Sequence, residues 1–592
     1  MPLTKQQQAV LDHIEGHLLV LAGPGSGKTH TLIEKMFYIF DQQVIPEPYG
    51  LLAITFSNAA VNEIKTRLRQ KNFRYWDRIQ VQTFHGFATY LLRCYGSDVR
   101  VPENFTIIEQ DAQRKLLDNL LKKHSSSMSC FNFQRYIEGF KRQGIYPDHD
   151  DRFQQEGEKR FQRAYADYQK HLIDHNQLDF TDLIHFAIRL LRESSLANQL
   201  FTNYFKYIIV DEFQDTDHQQ LELIHLLAIS AMGSTIVADD DQAIYGFRGG
   251  DKRNVQEIQQ ILGSKLIILD DNFRSPEIIV EAAHSVISLE ADRVDKQSNA
   301  ISSDKGSLYV AEFADEETEA LAIAKRVSAL QVEKINNLGQ IAVITRNRRR
   351  SDRIRQTFEN GDIPLFDRSE LSFSDTWEAN IALAILELSC EIDSSDGLYS
   401  LMTAIENSGI SYQINDQDAI DTACNIRENL RNTTFPDDKS ENVEAILEMS
   451  GFFQILQMVS ANDGDFDRAS GNVRSVASDV QKQIEQRGYS LQQTIELLSG
   501  KNAVQLITAH GSKGREFDFV FFIGIEDDII PGWGNLSEED ISDARRIFYV
   551  TITRTRKELY ISYAKRVSGY TNKQPSRFIA DIPKEYVTPI SI

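Results

Sequence analysis

Cysteine is scarce. The 592 residues hold four, Cys94, Cys130, Cys390 and Cys424, scattered without a CxxC pair. A disulfide framework, a zinc site and an iron–sulfur cluster are therefore not expected. No apolar run approaches membrane-spanning length, and "FVFFIGI" (519–525) reads as a buried strand. The opening "MPLTKQQQAV" has no hydrophobic segment of the signal-peptide kind, so a cytoplasmic location without a membrane partner is expected. Positive charge is also in deficit: 64 Lys and Arg against 86 Asp and Glu give a net charge of −22. That argues against a surface coated in nonspecific nucleic-acid affinity. A local basic groove stays open, because phosphate contacts depend on where the Lys and Arg sit.

What is present is an ordinary globular composition, 41% hydrophobic and 25% charged, in a chain too long for one core. Short apolar runs end in glycine-rich or acidic turns: "LLVLAG" (18–23), "LLAITF" (51–56), "YIIVDE" (207–212), "STIVAD" (234–239), "KLIILD" (265–270), "IAVITR" (341–346) and "DFVFFIG" (518–524). Continuous apolar runs with polar exits are the pattern of parallel strands covered on both faces. Helical patterns lie between them, so the fold class is α/β. Two intervals break the alternation and read as helical insertions. The expected division is 1–88 with 196–275 as a first sheet domain, 89–195 as a helical insertion, 276–380 with 501–592 as a second sheet domain, and 381–500 as a second, reduced helical insertion.

"LVLAGPGSGKTHT" follows a strand and opens a helix, the context a phosphate-binding loop requires. Gly23, Gly25 and Gly27 let backbone N–H groups approach phosphates; Pro24 and Ser26 complete the loop. Lys28 is placed to reach the β- and γ-phosphates and Thr29 to ligate Mg²⁺. The strict pattern has Gly where this chain has Ala22. "YIIVDEFQD" supplies the second half: Asp211 is placed to hold Mg²⁺ through water, and Glu212 to orient or deprotonate the attacking water. Arginines able to stabilise the transferring phosphoryl group are Arg274 in "LDDNFRSP" and Arg554 in "YVTITRTR".

The ordered set of motifs resembles the UvrD/Rep/PcrA branch of superfamily 1 helicases over nearly the whole chain. The likeness is carried by "LTKQQQAV", "AGPGSGKT", "AITFSNAAVNEI", "TFHGF", "NQLDFTDLI", "VDEFQD", "DDDQAIYGFRG", "NFRSP", "ITAHGSKGREFDFV", "RRIFYVTITRTR" and "PSRFIADIP". The resemblance implies two RecA-like motor domains with two mainly helical insertions, hydrolysing ATP with Mg²⁺ and translocating 3′→5′ on single-stranded or tailed duplex DNA. Gln6 would read adenine, and Lys28, Thr29, Asp211, Glu212 and Gln242 would form the ATP site on the first domain. Arg274, Glu516 and Arg554 would reach it from the second. Phe273 stands where the family places an aromatic against the base, and His30 replaces the arginine expected on its other face.

"VADDDQAIYGFRGG" (237–250) mixes acids with large aromatics. The resemblance gives Gln242 the γ-phosphate and Tyr245, Phe247 and Arg248 the single strand, where stacking contributes roughly 1–3 kcal/mol per base. Core packing is the competing reading for Tyr245, and a metal cluster at Asp239–Asp241 the disfavoured one. Phe56, Asn58, His85, Phe180 and His510 are further DNA candidates by resemblance. Ala59 and Ala544 stand where the family has Lys and Glu. The compact second insertion implies translocation ahead of processive unwinding. "RNRRRSDRIR" (346–355) holds six arginines, read first as a helix face paired to acids such as 314–320 and second as a phosphate track or docking patch. A function of a different class also fits: a DNA-sensing ATPase subunit serving a partner nuclease in a repair or phage-defence complex.

Overall fold

Every apolar run named above becomes a strand; all but the edge strand at 265–269, which is only partly covered, are buried along most of their length. The computed structural model describes residues 2–124, 128–147, 156–246, 249–291, 293–335, 337–346, 348–367, 376–406, 416–432, 442–460, 463–534, 536–567 and 572–588. The chain divides into two compact units, 1–274 with 290–301 and 275–289 with 302–592. The sequence division assigned all of 276–380 to the second sheet domain; residues 290–301 instead lie with the first unit.

In the first unit, β1 (Gly16–Ala22), β2 (Gly50–Thr55), β3 (Ile79–Thr83), β4 (Phe205–Val210), β5 (Gly233–Ala238) and β6 (Lys265–Leu269) form one sheet in the order β3-β2-β4-β5-β1-β6. Every pairing is parallel. Alternate residues of β1 serve opposite layers. Leu18, Val20 and Ala22 pack with the helices Lys28–Asp41 and Asn58–Gln70. Leu19 and Leu21 pack with the helices Phe84–Tyr95, Phe180–Glu193 and His218–Ala228. Parallel strands deliver all their carboxyl ends to one edge, the usual ligand edge of an open α/β sheet. The phosphate loop follows β1, Phe56 follows β2, Asp211 follows β4 and Asp239 follows β5.

The first insertion is smaller than its sequence limits. The helices Phe84–Tyr95 and Phe180–Glu193 belong to the sheet's own core. The helices Gln110–Lys123, Cys130–Arg142 and Glu156–Asp174 hold a separate core around Leu117, Phe133, Tyr165 and Tyr168. These two parts are joined by charge. Lys141 is wholly buried and lies 2.7 Å from both Asp179 and Asp182. Asp179 is the N-cap of the helix that Phe180 opens, and the Tyr168 hydroxyl donates to it as well (2.9 Å).

In the second unit, β7 (Ser307–Phe313), β8 (Ile341–Thr345), β9 (Leu365–Phe366), β10 (Val504–Thr508), β11 (Phe517–Phe522), β12 (Thr555–Ala564) and β13 (Val587–Thr588) form a parallel sheet in the order β9-β10-β8-β11-β12-β7-β13. The helices within 377–498 bury a core of their own, with Ile385, Leu401, Ile426, Leu447 and Val473 inside it. The arginine run pairs with acids, 314–320 among them, while Arg349 stays exposed. Arg350 is buried among Glu316, Glu319 and Glu526, and Arg355 pairs with Asp352 and Asp367. No helix among the described residues is long and apolar enough to cross a membrane.

Removing one partner of a buried ion pair strands the other charge, which costs about 3–5 kcal/mol. Lys141→Ala is expected to lower the stability of the first unit by that order in denaturant unfolding. An unchanged unfolding midpoint would mean that Asp179 and Asp182 do not need the ammonium.

Candidate functional site

The phosphate loop is built on close approach. Gly25 (φ +74°) and Gly27 (φ +78°) are in the left-handed region, where a side chain is strained. A Cβ on Gly25 would lie 2.7 Å from both Arg274 Cβ and Asn272 Oδ1; one on Gly27 would lie 2.8 Å from Gln7 Nε2 and 4.0 Å from Phe273 Cδ2. The loop is held from outside by Asn272, which donates to Pro24 O (2.8 Å), and by Phe273 N, which donates to Gly25 O (2.8 Å). It is held from within by the Ser26 hydroxyl on Gly23 O (2.8 Å). Lys28 and Thr29 then open the helix Lys28–Asp41, whose N-terminal dipole favours an anion.

Two expectations about this loop change. Gln7, not Gln6, reaches it. Thr4 is the N-cap of the helix Lys5–Asp12 and makes Gln7 the third helical residue, closing a capping box. The helix thereby turns Gln7 inward, where Nε2 donates to Ser26 O at 3.1 Å, while Gln6 is half-exposed. The far end of this helix is fixed by Lys35, whose buried ammonium donates to the carbonyls of Val10, Leu11 and His13 (3.0, 2.9 and 2.6 Å). Burial pushes the Lys35 pKa down to about 8. Secondly, Arg274 does not reach the site from the second unit: it is the last residue of the first, in keeping with the division at 275, and its backbone N–H donates to Asn272 Oδ1 (2.9 Å).

The acids after β4 complete the constellation. Lys28 Nζ lies 3.7 Å from Glu212 Oε1. Glu212 sits at φ +55°, a strained setting for a residue with a side chain. Burial, then the Glu212 charge, lifts the Asp211 carboxyl to about 7. Gln214, to which the sequence reading gave no role, bridges this pair to the acidic stretch after β5. Its amide donates to Glu212 Oε2 and its carbonyl accepts from Asp239 N (2.9 Å). Asp239 Oδ2 in turn accepts from Gln242 Nε2 at 2.5 Å. A continuous path of contacts thus runs from Lys28 to Gln242. Asp239, Asp240 and Asp241 have the spacing of a cation cluster, but the Lys296 ammonium stands among them, 2.8 Å from Asp239 and 3.1 Å from Asp241.

Mg²⁺ fits the other end. Asp211 is a buried carboxyl whose ionisation is opposed by its surroundings, and Thr29 opens the helix behind an anion cradle; a cation beside them would supply the missing positive charge. His30 Nδ1 faces Glu34 at 3.6 Å, and its buried Nε2 has no hydrogen-bond partner among the described residues.

Four candidate nucleic-acid side chains form two pairs at the sheet's carboxyl edge. Phe56 and Tyr245 are stacked, centroids 5.5 Å apart and planes 13° off parallel. His85 and Phe180 meet edge to face at 5.6 Å. Phe180 is exposed, which core packing would not leave. Burial, then the Arg142 charge, pushes the His85 pKa down to about 4, so the ring is neutral at physiological pH. Arg142 is a cation the sequence reading missed. It pairs with Glu138 (3.3 Å) and lies 3.8 Å from Asp217, and its guanidinium would meet a Cβ on Gly249 at 3.1 Å. Asn58 is exposed at the start of its helix. Phe247 and Arg248 lie outside the described residues.

In the second unit, His510 Nδ1 is 3.0 Å from Arg346 Nη1. Arg554 is buried, its guanidinium donating to Val550 O (2.8 Å), Arg515 O (3.4 Å) and Thr553 Oγ1 (3.1 Å). Glu516 faces Arg556 at 3.4 Å.

Known proteins resemble this chain over nearly its whole length. Residues 3–262 match the UvrD/REP helicase N-terminal domain, and residues 267–409 and 410–566 match the UvrD-like helicase C-terminal domain. The chain is 27% identical to the ATP-dependent DNA helicase PcrA of Staphylococcus epidermidis, over 98% of this chain and 86% of the relative. It is 29% identical to a probable DNA helicase II homolog of Rickettsia conorii, over 98% of this chain and 96% of the relative.

The two adjacent glutamines separate in one assay. Gln7→Ala is expected to raise the KM for ATP several-fold while Gln6→Ala leaves it unchanged, measured as steady-state hydrolysis. The opposite ranking would return the role to Gln6.

Proposed function

The chain belongs to the UvrD/Rep helicase family, and from that premise we propose that it is an ATP-dependent DNA helicase moving 3′→5′ on single-stranded DNA. The observation that carries this reading is the contact path from Lys28 through Glu212, Gln214 and Asp239 to Gln242, three residues before the Phe56–Tyr245 stack. Phosphate oxygens arriving at Lys28 compete with Glu212 for its ammonium. Glu212 is then released to orient or accept a proton from the attacking water. Gln242 reads the γ-phosphate end of the same path. Any shift of Gln242 is passed along a short rigid segment to Tyr245, so one change reaches both ligands.

Thr29 and Asp211 would hold Mg²⁺, which neutralises charge on the β- and γ-phosphate oxygens. Phe273 and His30 bracket the adenine, with Gln7 at its edge. Arg274 serves the phosphoryl-transfer site on the first unit, and the family resemblance assigns the same task to Arg554 and Glu516. On the DNA side, Phe56 and Tyr245 offer one stacking platform and Phe180 beside His85 a second. Asn58, Phe247, Arg248 and His510 add contacts to the strand. The relatives are named as DNA helicases, which favours the motor over a sensing subunit for a partner nuclease; that alternative is not carried forward.

A strand-displacement assay tests the reading. The full chain is expected to unwind a 3′-tailed duplex with ATP and to leave a 5′-tailed one intact, and Lys28→Ala to abolish both unwinding and hydrolysis. Tyr245→Ala is expected to keep basal hydrolysis and lose most of its stimulation by single-stranded DNA. A preference for the 5′ tail would overturn the polarity, and undiminished stimulation would return Tyr245 to a packing role.

A further inference from the structure

Residues 275–289 and 302–592 belong to the second unit, yet the twelve residues between, 290–301, fold onto the first. They do so at the nucleotide site. Asn299 and Ala300 pair in parallel with Asp271 and Asn272, the strand that buttresses the phosphate loop. A Cβ on Gly23 would meet Ser298 Oγ at 3.1 Å. Upstream, the segment is fastened to the acidic stretch after β5. Arg293 binds Asp241 through two hydrogen bonds (3.1 and 3.0 Å), and Val294 N donates to Asp240 Oδ2 (2.9 Å). Lys296, almost wholly buried, contacts Asp239, Asp240 and Asp241 together.

Asp239 is the acid that matters for the phosphate sensor. Its Oδ1 faces the Lys296 ammonium at 2.8 Å, and its Oδ2 accepts from Gln242 Nε2 at 2.5 Å. The carboxylate is therefore gripped at both ends, which fixes its plane. An ionised carboxylate only accepts hydrogen bonds, so it selects the orientation of the Gln242 amide that presents NH₂ toward it. Without the ammonium, three buried carboxylates would face one another with Arg293 on Asp241 and the more distant charge of Lys28 as counter-charges, and Asp239 would turn or take up a proton. A protonated Asp239 can donate, and the amide could then present either end.

We propose that Lys296 is a positioning residue for hydrolysis: it clamps Asp239 so that the Gln242 amide is held in one orientation for the γ-phosphate. The inference rests on Gln242 being the phosphate sensor. It gives the returning segment a task in catalysis beyond linking the two units, with Ser298 against the phosphate loop and Lys296 behind the sensor.

The test is a double-mutant cycle on DNA-stimulated ATP hydrolysis by the full chain. Lys296→Met is expected to lower kcat about tenfold or more with the KM for ATP nearly unchanged, the mark of an interaction made in the transition state. In a Gln242→Ala background the same substitution is expected to add almost nothing, because its effect passes through that amide. Asp239→Asn should reproduce the loss, and Lys296→Arg should retain most of the activity. Multiplying losses in the double variant, or a normal kcat for Lys296→Met, overturns the proposal. A normal kcat for Gln242→Ala alone instead removes the sensor reading on which it stands. Should Lys296→Met fail to fold, Asp240→Asn/Lys296→Met, which removes one carboxylate with the ammonium, gives the same comparison.

Discussion

Negative charge buried beside a phosphate cradle is the constraint around which the first unit is arranged. Asp211, Glu212 and Asp239–Asp241 all follow strands of one parallel sheet and so crowd one edge. Left alone they would repel one another and any nucleotide. Each is instead assigned a counter-group: Lys28 to Glu212, Lys296 and Arg293 to the three aspartates, and the Gln214 amide between the two sets. Asp211 is the exception, lifted to about 7 by burial and by Glu212, and it is the residue from which a divalent cation would gain most.

The same arrangement explains why nucleotide and nucleic acid are felt together. Gln242 and Tyr245 sit on one short segment anchored by Asp239 at one end, while Gly250 and Asp251 donate to Tyr245 O and Thr216 O at the other. Phe56 stacks on Tyr245 from the end of β2, which β4 separates from β5 in the sheet. Phe180 is presented by a helix whose N-cap, Asp179, is locked by Lys141. The aromatic face is therefore attached to buried charge pairs, which do not deform gradually. Coupling between two ligands requires such discrete elements.

Much of this was legible in the chain. The apolar runs declared their strands, and the glycine loop with Lys28 declared the phosphate site, because both depend on local sequence. Other strands were not legible. β3 reads "IQVQT", alternating polar and apolar, and β7 is only partly buried, so neither has the continuous run that a fully covered strand shows. Gln7 was missed because adjacent glutamines are indistinguishable until the Thr4 cap sets the helical phase. Arg293 and Lys296 were missed for a different reason. They lie 52 to 57 residues beyond their partners, on a segment that leaves the second unit and returns to the first, and no spacing rule spans that distance.

The central claim is that phosphate occupancy is transmitted through Gln214 and Asp239 to the aromatic face. The most direct measurement is the affinity for a short single-stranded oligonucleotide with and without a nonhydrolysable ATP analogue, compared between the native chain and Gln214→Leu. The account predicts that the analogue shifts oligonucleotide affinity in the native chain, and that Gln214→Leu erases the shift while each ligand still binds on its own. An undiminished shift in the variant would contradict it.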